Sequence, residues 1–270
     1  MLIDFHYHLA DDPNALGGLL SDMDKASVNW TVLLGGPEEA FWDFLKCRFA
    51  GNDAIFKAVA QYPQRLVGSV YLDPRDPGAV DEFERYMDKG FRAVKMFPAA
   101  GYYPDDEMCF PLYEKIEAGG VPVLFHAGQT NIKLIGKEPG VRKATNSKYG
   151  NPMNFDAIAR LFPKMPIVLA HMAYPHYIEA WSVAHANRNV YLDISGSGPW
   201  TEGISIAFNA LGGHSFIPVD FGRVIWGSDN CLPQAEHIAR SEVYMRQMGA
   251  GVRERKLIFG ETAQRLLGLN

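Results

Sequence analysis

The chain has 270 residues, 47% of them hydrophobic, so it is long enough to bury a substantial core. Lysine and arginine number 26 against 31 aspartate and glutamate residues, and this net charge of −5 argues against a nucleic-acid-binding protein, which usually carries a basic excess. No apolar run approaches the roughly 18 residues that a membrane span needs, and no segment resembles a secretory signal. The three scattered cysteines form no CxxC pair. We therefore expect a cytoplasmic protein with no nucleic-acid or membrane partner.

Eight short apolar runs recur along the chain, and segments with helical periodicity alternate with them. Such near-continuous apolar strands are typical of a parallel sheet that is covered on both faces. The predicted strands are Leu2–His8, Trp30–Leu34, Leu66–Leu72, Phe91–Phe97, Val121–His126, Ile167–His171, Val190–Ile194 and Val224–Asp229. Between the third and fourth strands, Val80, Phe83 and Met87 recur on one helical face, and Gly90 follows where a left-handed cap is expected.

This alternation predicts an α/β protein, a (β/α)8 TIM barrel with residues 1–270 as a single domain. An open doubly wound sheet is the alternative, and it is disfavoured because no glycine-rich nucleotide-binding loop follows any strand. The aromatic-rich segment Phe41–Phe49 is expected to form either a core helix or an interface. The sequence therefore does not decide the oligomeric state, and a homo-oligomer is one alternative.

Polar side chains fall at or near the carboxyl ends of the predicted strands, which form the catalytic face of such a barrel. They are His6, His8, Lys95, His126, His171 and Asp229. Because side chains alternate along a strand, Asp4 is expected to face the same way as the first two histidines and to lie deepest. Each histidine alone is more commonly a hydrogen-bonded core residue. A common site is favoured because burying several polar groups at matching positions is costly unless they are paired or ligated.

The motifs IDFHYH, FRAVKMFP, VLFHAG, IVLAHMA, WGSDN and ETAQRLLGL resemble those of the amidohydrolase-related metal-dependent hydrolases of the amidohydrolase superfamily. The resemblance covers nearly the whole chain in order. Members of this superfamily include amide and lactone hydrolases and also nonoxidative decarboxylases of aromatic or muconate-type acids. The resemblance therefore implies a metal-dependent enzyme without identifying its reaction.

Carried onto this sequence, the resemblance implies a metal surrounded by His6, His8, His126 and Asp229. His171 would be a ligand in two-metal members and a catalytic or substrate-contacting residue in one-metal members. Lys95 would be either a carboxylated lysine that bridges two ions or a residue that contacts substrate. A buried ammonium paired with an acidic neighbour such as Asp4 is the alternative for this lysine. Zinc is the expected ion, with manganese, cobalt or iron also compatible, and one or two ions are allowed.

A divalent ion in this shell would lower the pKa of a water molecule toward about 7, and Asp229 would shuttle its proton to the leaving group. The leading hypothesis is a hydrolase that cleaves an ester, lactone or amide bond in a small, carboxylate-bearing molecule. A metal-dependent nonoxidative decarboxylase is the first alternative. A barrel that only binds ligands is the second, and the intact ligand set argues against it.

The longest connection, 127–155, follows the fifth predicted strand and is expected to be a functional loop. It carries five lysine and arginine residues against one glutamate. Arg142 and Lys143 are predicted to bind an anionic substrate, with a merely solvated loop as the alternative. Tyr102 and Trp200 are predicted to line a pocket for a flat or cyclic ligand, with ordinary packing as the alternative.

Overall fold

The computed structural model describes residues 1–43, 46–134, 145–196 and 220–269. Eight parallel strands follow chain order around one sheet, which curls into a nearly closed barrel with helices between the strands. These strands are β1 (Ile3–His8), β2 (Trp30–Leu34), β5 (Leu66–Tyr71), β6 (Ala93–Met96), β7 (Val123–Phe125), β9 (Ile167–Leu169), β10 (Val190–Asp193) and β11 (Val224–Ile225). The predicted TIM barrel is confirmed, and the doubly wound alternative is wrong because each barrel strand pairs with the next barrel strand in the chain, from β1 to β11.

Helices pack on the outside of the barrel. They are α1 (Ala15–Ala26), α2 (Asn52–Gln61), α3 (Ala79–Asp88), α4 (Phe110–Gly119), α5 (Asp156–Leu161), α6 (Tyr177–Ala186), α7 (Gln234–Gln247), α8 (Val252–Lys256) and α9 (Thr262–Leu267), with one π-helical turn at Leu257–Glu261. Short 3-10 turns lie at Pro98–Ala100, Glu107–Cys109, Ser147–Gly150, Pro152–Phe155, Ala170–Ala173 and Phe221–Arg223. Across the described ranges, no helix combines the length and apolar character that crossing a membrane requires.

The helix α3 follows its predicted pattern. Phe83 is buried, and Val80 and Met87 pack against the same core with part of their surface exposed. Gly90 adopts a φ of +89°, a left-handed conformation that favours glycine at a helix end. The apolar spacing therefore sets the buried face of this helix, and Gly90 marks its end.

The barrel interior is filled at its amino-terminal end. Side chains from all eight barrel strands and from α9 form one buried cluster there, with members including Ile3, Phe5, Val32, Leu124, Val168, Ala263 and Leu267. This packing closes the floor of the barrel. Polar groups inside the barrel are therefore confined to the opposite end, where the strands finish.

A β-bulge in β1 changes which side chains face the interior. Three steps along this strand, from Asp4 to Tyr7, match two steps along β2. Before the bulge, the side chain of Asp4 lies on the outer face and bonds Gln234 of α7. After it, His6 and His8 face inward. The expectation that all three side chains share one face is wrong, because the extra residue shifts the alternation by one.

A small antiparallel sheet lies beside the carboxyl end of the barrel. It contains β3 (Ala40–Trp42), β4 (Cys47–Arg48) and β8 (Ile132–Leu134), with β3 in the centre. The predicted core helix over Phe41–Phe49 is therefore wrong, since this segment supplies two strands. The tendency of aromatic residues to pack on a pleated surface outweighs the helical alternative here. The connection 127–155 supplies the third strand.

Candidate metal centre

Strand β1 and the turns after two other barrel strands place three predicted residues in a buried cluster. His171 and Asp229 lie beyond β9 and β11 rather than at the strand ends, and their φ angles of +57° and +54° are left-handed. Non-glycine residues adopt this conformation at some energetic cost, and such residues concentrate at functional sites. Together with His6, they offer ligand atoms that all lie within 4.8 Å of one another. The predicted sixth and eighth strands extend too far, to His171 and Asp229, because the apolar pattern of the sequence carries no information on the backbone φ angle.

His6, His8 and Asp229 approach one another closely. The Nε2 atoms of the two histidines are 3.3 Å apart. Asp229 Oδ1 lies 3.2 Å from His6 Nε2 and 3.9 Å from His8 Nε2. The backbone supports this arrangement, since the N–H of Asp229 donates to the carbonyl oxygen of His6 at 2.7 Å. Two imidazole nitrogens and a carboxylate oxygen therefore meet at one point.

A second carboxylate fixes the tautomer of His6. Asp193, at the end of β10, has its Oδ2 atom 2.6 Å from His6 Nδ1. A carboxylate accepts hydrogen bonds, so in the neutral ring, the form that binds a cation, the single proton sits on Nδ1 and Nε2 keeps its lone pair. This is the arrangement in which a carboxylate behind a metal-binding histidine orients the ring and raises its basicity.

Ser195 connects His6 and His171 on the same side. Its Oγ atom lies 3.0 Å from His6 Nδ1 and 2.9 Å from His171 Nδ1, and its main-chain oxygen lies 3.4 Å from His171 Nδ1. Because a main-chain oxygen can only accept, these contacts favour a proton on Nδ1 of His171 and a lone pair on its Nε2. The two rings, with centroids 5.1 Å apart, are thus held from behind by one residue.

His126 lies next to the cluster but has another hydrogen-bond partner. Its ring centroid is 5.2 Å from that of His171, and its Nε2 atom is 3.2 Å from the main-chain oxygen of Gln129. The carbonyl places the proton on Nε2 of His126, so this nitrogen is not free for a cation. Burial lowers the pKa of His126 to about 3, so the ring is neutral. Its role as a ligand stays a prediction.

Electrostatics within the cluster favour an ionised Asp229 beside neutral His8 and His171 rings, whereas the pKa of His6 is shifted upward. Burial lowers the pKa of His8 and of His171 well below the usual range. Burial alone would raise the pKa of Asp229, but the facing side chains of His6, His171 and Lys95 bring it below its usual value. Burial and Lys95 oppose protonation of His6, whereas the two carboxylates raise its pKa overall.

Lys95 points its ammonium group into the same buried region. Its Nζ atom is buried, and no group in the described ranges hydrogen-bonds it. Burial lowers the pKa of Lys95 to about 8, against the opposing attraction of Asp229 and Asp193. The alternative pairing with Asp4 is wrong because that carboxylate lies on the outer face of β1. Whether this lysine bridges ions or contacts substrate stays a prediction.

The remaining predicted residues lie away from the cluster or outside the described residues. Tyr102 is buried in the outer layer of the core, with the guanidinium of Arg75 5.7 Å from its ring centroid. Its contact with substrate stays a prediction. Arg142, Lys143 and Trp200 lie outside the residues that the structure describes.

Two other cations of the 127–155 connection have local partners. Lys133 pairs with Asp43 next to the small sheet. Lys148 Nζ lies 4.7 Å from the ring centroid of Tyr149 and 5.7 Å from that of Tyr103. These contacts account for two of the five cations without a substrate.

The small sheet and the residue that follows β4 place aromatic rings against the cluster. Trp42 and Phe49 have ring centroids 5.8 and 4.7 Å from that of His8. They are 5.5 Å from each other, so they form a continuous apolar wall beside this histidine. Water reaching His8 is limited on this side, and the ring has a relative exposure of 7%.

Asp193 and Ser195 were not predicted from the sequence. They lie at the end of the seventh apolar run and directly after it, in VYLDIS, so the rule that polar residues at strand ends form the site could have found them. The same rule gives no reason to include His237 of α7, which accepts from Trp226 Nε1–H at 2.9 Å and donates to Gly196 O at 2.7 Å. No pattern along the chain marks that contact, because it joins a helix to a distant turn.

The donor set fits a divalent cation. Unprotonated imidazole nitrogens and a carboxylate oxygen are the ligands that zinc and similar ions prefer. Converging lone pairs repel one another unless a proton or a cation lies between them. His8 Nδ1 is a further buried nitrogen for which the described residues provide no hydrogen-bond partner.

Comparison with known proteins agrees with this fold. The amidohydrolase family model Amidohydro_2 matches residues 3–269. No curated protein sequence matches the chain at a significant level. Among solved structures, 5-carboxyvanillate decarboxylase from Sphingomonas paucimobilis is 19% identical with a TM-score of 0.67, and the match covers 100% of this chain and 99% of that chain.

Two further solved structures align over the whole length. A probable 2-pyrone-4,6-dicarboxylic acid hydrolase from Acinetobacter baumannii, solved with citric acid bound, is 17% identical with a TM-score of 0.64 and 99% of each chain covered. An amidohydrolase from Burkholderia multivorans with bound zinc is 14% identical with a TM-score of 0.66 and 100% of each chain covered. At these identities, the likeness establishes the shared fold.

Proposed function

The chain belongs to the amidohydrolase family, and from that membership and the buried histidine–carboxylate cluster we propose that it is a divalent-metal-dependent hydrolase. Its substrate is an ester, lactone or amide of a small carboxylate-bearing molecule, and residues 1–270 act as one catalytic domain. One observation carries the proposal. The bond from His6 Nδ1 to Asp193 leaves a lone pair on His6 Nε2, 3.3 Å from His8 Nε2 and 3.2 Å from Asp229 Oδ1.

The residues that would hold the cation are His6, His8, His171 and Asp229, with His126 as a further predicted ligand. Zinc is the first candidate, because it favours nitrogen and oxygen ligands, and the zinc-containing relative supports it. Manganese, cobalt and iron accept the same donor types. Such a cation, when bound, supplies a Lewis acid and lowers the pKa of water.

Asp229 is the proton carrier in this proposal. Its lowered pKa keeps it ionised at neutral pH, so it can accept a proton from the attacking water. It would then return that proton to the leaving group. The backbone bond to His6 O and the left-handed turn hold the carboxylate within the buried cluster, beside the proposed cation position.

Lys95 is the proposed anchor for the substrate carboxylate. A buried ammonium without a hydrogen-bond partner in the described ranges is costly, and an anionic ligand would offset that cost. The names of the two relatives with known or probable reactions both describe carboxylic acids, which supports an acidic substrate. Arg142 and Lys143 would add to this attraction.

A nonoxidative decarboxylase is the second candidate, supported by the decarboxylase among the structural relatives. In that reaction, the cluster would bind a carboxylated ring, and an acid would protonate carbon as CO2 leaves. Reaction in ¹⁸O-labelled water separates the two. Hydrolysis incorporates the label into the product, whereas decarboxylation releases CO2 without incorporating it.

The test starts with metal analysis of the purified protein, followed by a screen of lactones and aromatic carboxylic acids. We expect about one or two divalent ions per chain, a number set by the two metal classes in the family. His8→Ala and Asp229→Asn are expected to abolish turnover with the fold intact. His185→Ala, at an exposed histidine of α6, is the matched control. A His8→Ala protein with full metal content and activity would contradict the assignment.

A further inference from the structure

We propose that Asp4 is a positioning residue that fixes His6 and Asp229 relative to each other where the barrel closes. This inference rests on the proposed function, because the arrangement it maintains is the cation-binding one. Asp4 does not touch the cluster with its side chain. It acts from the outer face of β1, through the backbone of His6 and through Ser228.

The place where Asp4 acts is the seam between the first and the last barrel strands. Strands β1 and β11 stand at the two ends of the sheet order and do not form a regular ladder. Within the described ranges, two backbone hydrogen bonds cross the seam: Phe5 N–H donates to Trp226 O at 3.1 Å, and Asp229 N–H donates to His6 O at 2.7 Å. The candidate centre uses residues from both sides of this weakly paired junction.

The carboxylate of Asp4 adds four hydrogen bonds at the seam. Its Oδ1 accepts from the backbone N–H of His6 at 3.2 Å and of Ser228 at 2.9 Å. Its Oδ2 accepts from Ser228 Oγ at 2.6 Å and from Gln234 Nε2 at 2.7 Å. Both oxygens are therefore satisfied by residues from β1, from the turn after β11 and from α7. The side chain of Asp4 thus connects β1 to the chain after β11, where the two strands lack a regular backbone ladder.

The bonds of Asp4 lie next to both members of the pair they would position. Its Oδ1 holds the backbone N–H of His6 itself, and it holds Ser228 immediately before Asp229. Asp229 has a left-handed φ of +54°, so the direction of its side chain depends on how the preceding residue is fixed. Small displacements matter here, because His6 Nε2 and Asp229 Oδ1 are only 3.2 Å apart.

A purely structural role for Asp4 predicts a different outcome from a positioning role. Burial raises the pKa of Asp4 to about 6 even with four donors present. Burying this carboxylate therefore costs free energy that offsets much of the stability gained from its hydrogen bonds. A structural role changes thermal stability only. A positioning role also changes the affinity of the folded protein for a cation.

The experiment measures zinc affinity of the folded protein by competition with a chromogenic chelator. We expect Asp4→Ala to weaken binding by about 10- to 100-fold, as for other residues that orient metal-binding side chains. Asp4→Asn should stay within about threefold of the original chain. Its oxygen can still accept from both backbone N–H groups. Gln234 can also turn its amide to accept from the new NH2, because its Oε1 has no partner among the described residues.

Asp156→Ala is the matched control. Asp156 also accepts from several donors, Arg160 and Asn187, but these contacts lie far from the seam. It should lower thermal stability and leave zinc affinity unchanged. If Asp4→Ala does not fold, Ser228→Ala and Gln234→Met each remove one of the four bonds. At least a threefold loss of affinity in Ser228→Ala is then expected.

Unchanged zinc affinity in folded Asp4→Ala, or in both substitutes, would overturn the proposal. A second measurement does not depend on the cation. The ¹⁵N chemical shifts of the His6 ring report its hydrogen bonds, and they should change in Asp4→Ala but not in Asp156→Ala. If the original chain binds no zinc, the proposed function fails, while these shifts still decide whether Asp4 positions His6. Unchanged shifts would count against it.

Discussion

Replacing Asp193 with asparagine tests the candidate centre most directly, because it exchanges one carboxylate oxygen for an NH2 group, removing a charge and an acceptor with almost no change in volume. Asp193 Oδ1 accepts from the backbone N–H of Ser195 at 2.5 Å, and Oδ2 accepts from His6 Nδ1–H at 2.6 Å. The amide oxygen of an asparagine would keep the bond to Ser195, so its NH2 group would face His6. The ring would then have to accept at Nδ1 and carry its proton on Nε2, where a cation needs the lone pair.

The size of the effect follows from the bond that is lost. A buried hydrogen bond to a charged group contributes about 1.5–3 kcal/mol, and about 1.4 kcal/mol corresponds to a factor of ten in affinity. We therefore expect Asp193→Asn to weaken zinc binding by about 10- to 100-fold, which matches the usual effect of removing a carboxylate behind a metal-binding histidine.

The assay is a zinc titration in competition with a chromogenic chelator, with circular dichroism to establish that the variant is folded. Asp220→Asn provides the control, because this exposed carboxylate pairs with Arg223 far from the cluster. An Asp193→Asn protein that binds zinc within threefold of the original chain would refute the role given to Asp193 and the tautomer deduced for His6.

Three further predictions concern single residues. Gly227→Ala should lower the free energy of unfolding, measured by chemical denaturation, by about 1–3 kcal/mol, because the new Cβ would lie 2.5 Å from His6 Cβ. Gly17→Ala in α1 is the control, and it should stabilise the protein because the space around Gly17 is open. Lys95→Met should stabilise the metal-free protein by about 1–3 kcal/mol, because it removes a buried ammonium that has no hydrogen-bond partner among the described residues. It should also raise KM for an acidic substrate, and a less stable variant with unchanged KM would contradict both expectations. Burial lowers the pKa of His237. Below about pH 6.5, the unfolded chain therefore binds a proton that the folded chain does not. The free energy of unfolding then decreases as the pH is lowered, by up to about 1.4 kcal/mol per pH unit. Urea denaturation between pH 6.5 and 5 should therefore give a shallower slope for His237→Gln, and an equal slope would show that His237 is not the group involved.

The barrel could be predicted from the sequence because the strands are near-continuous apolar runs that are largely buried. The residues at the strand ends were identified for the same reason, since polar groups such as His6, His171 and Asp229 interrupt apolar runs. The orientation of Asp4 could not be predicted. A single bulged residue in β1 reverses the alternation, and apolar periodicity does not register one extra residue in a six-residue strand.

Contacts between distant segments were equally out of reach. The bond between His6 and Asp193 joins β1 to β10, and the aromatic wall on His8 comes from a small sheet whose strands are only two or three residues long. Strands of that length leave too few residues for a period-two pattern to appear. The segment Phe41–Phe49 was misread as a possible helix for this reason.

The seam also determines when the site can exist during synthesis. Asp4 and Ser228 are 224 positions apart in the sequence, so their contact forms only after the last barrel strand has been synthesised. Until then, His6 lacks its partner Asp229. A chain emerging from the ribosome presents His6 and His8 long before Asp229 is made. Contacts this distant in sequence form slowly, because much loop entropy is lost before they are gained. A fragment that stops short of Trp226 would therefore bind no ion in the way proposed for the whole chain, however much of its barrel had formed.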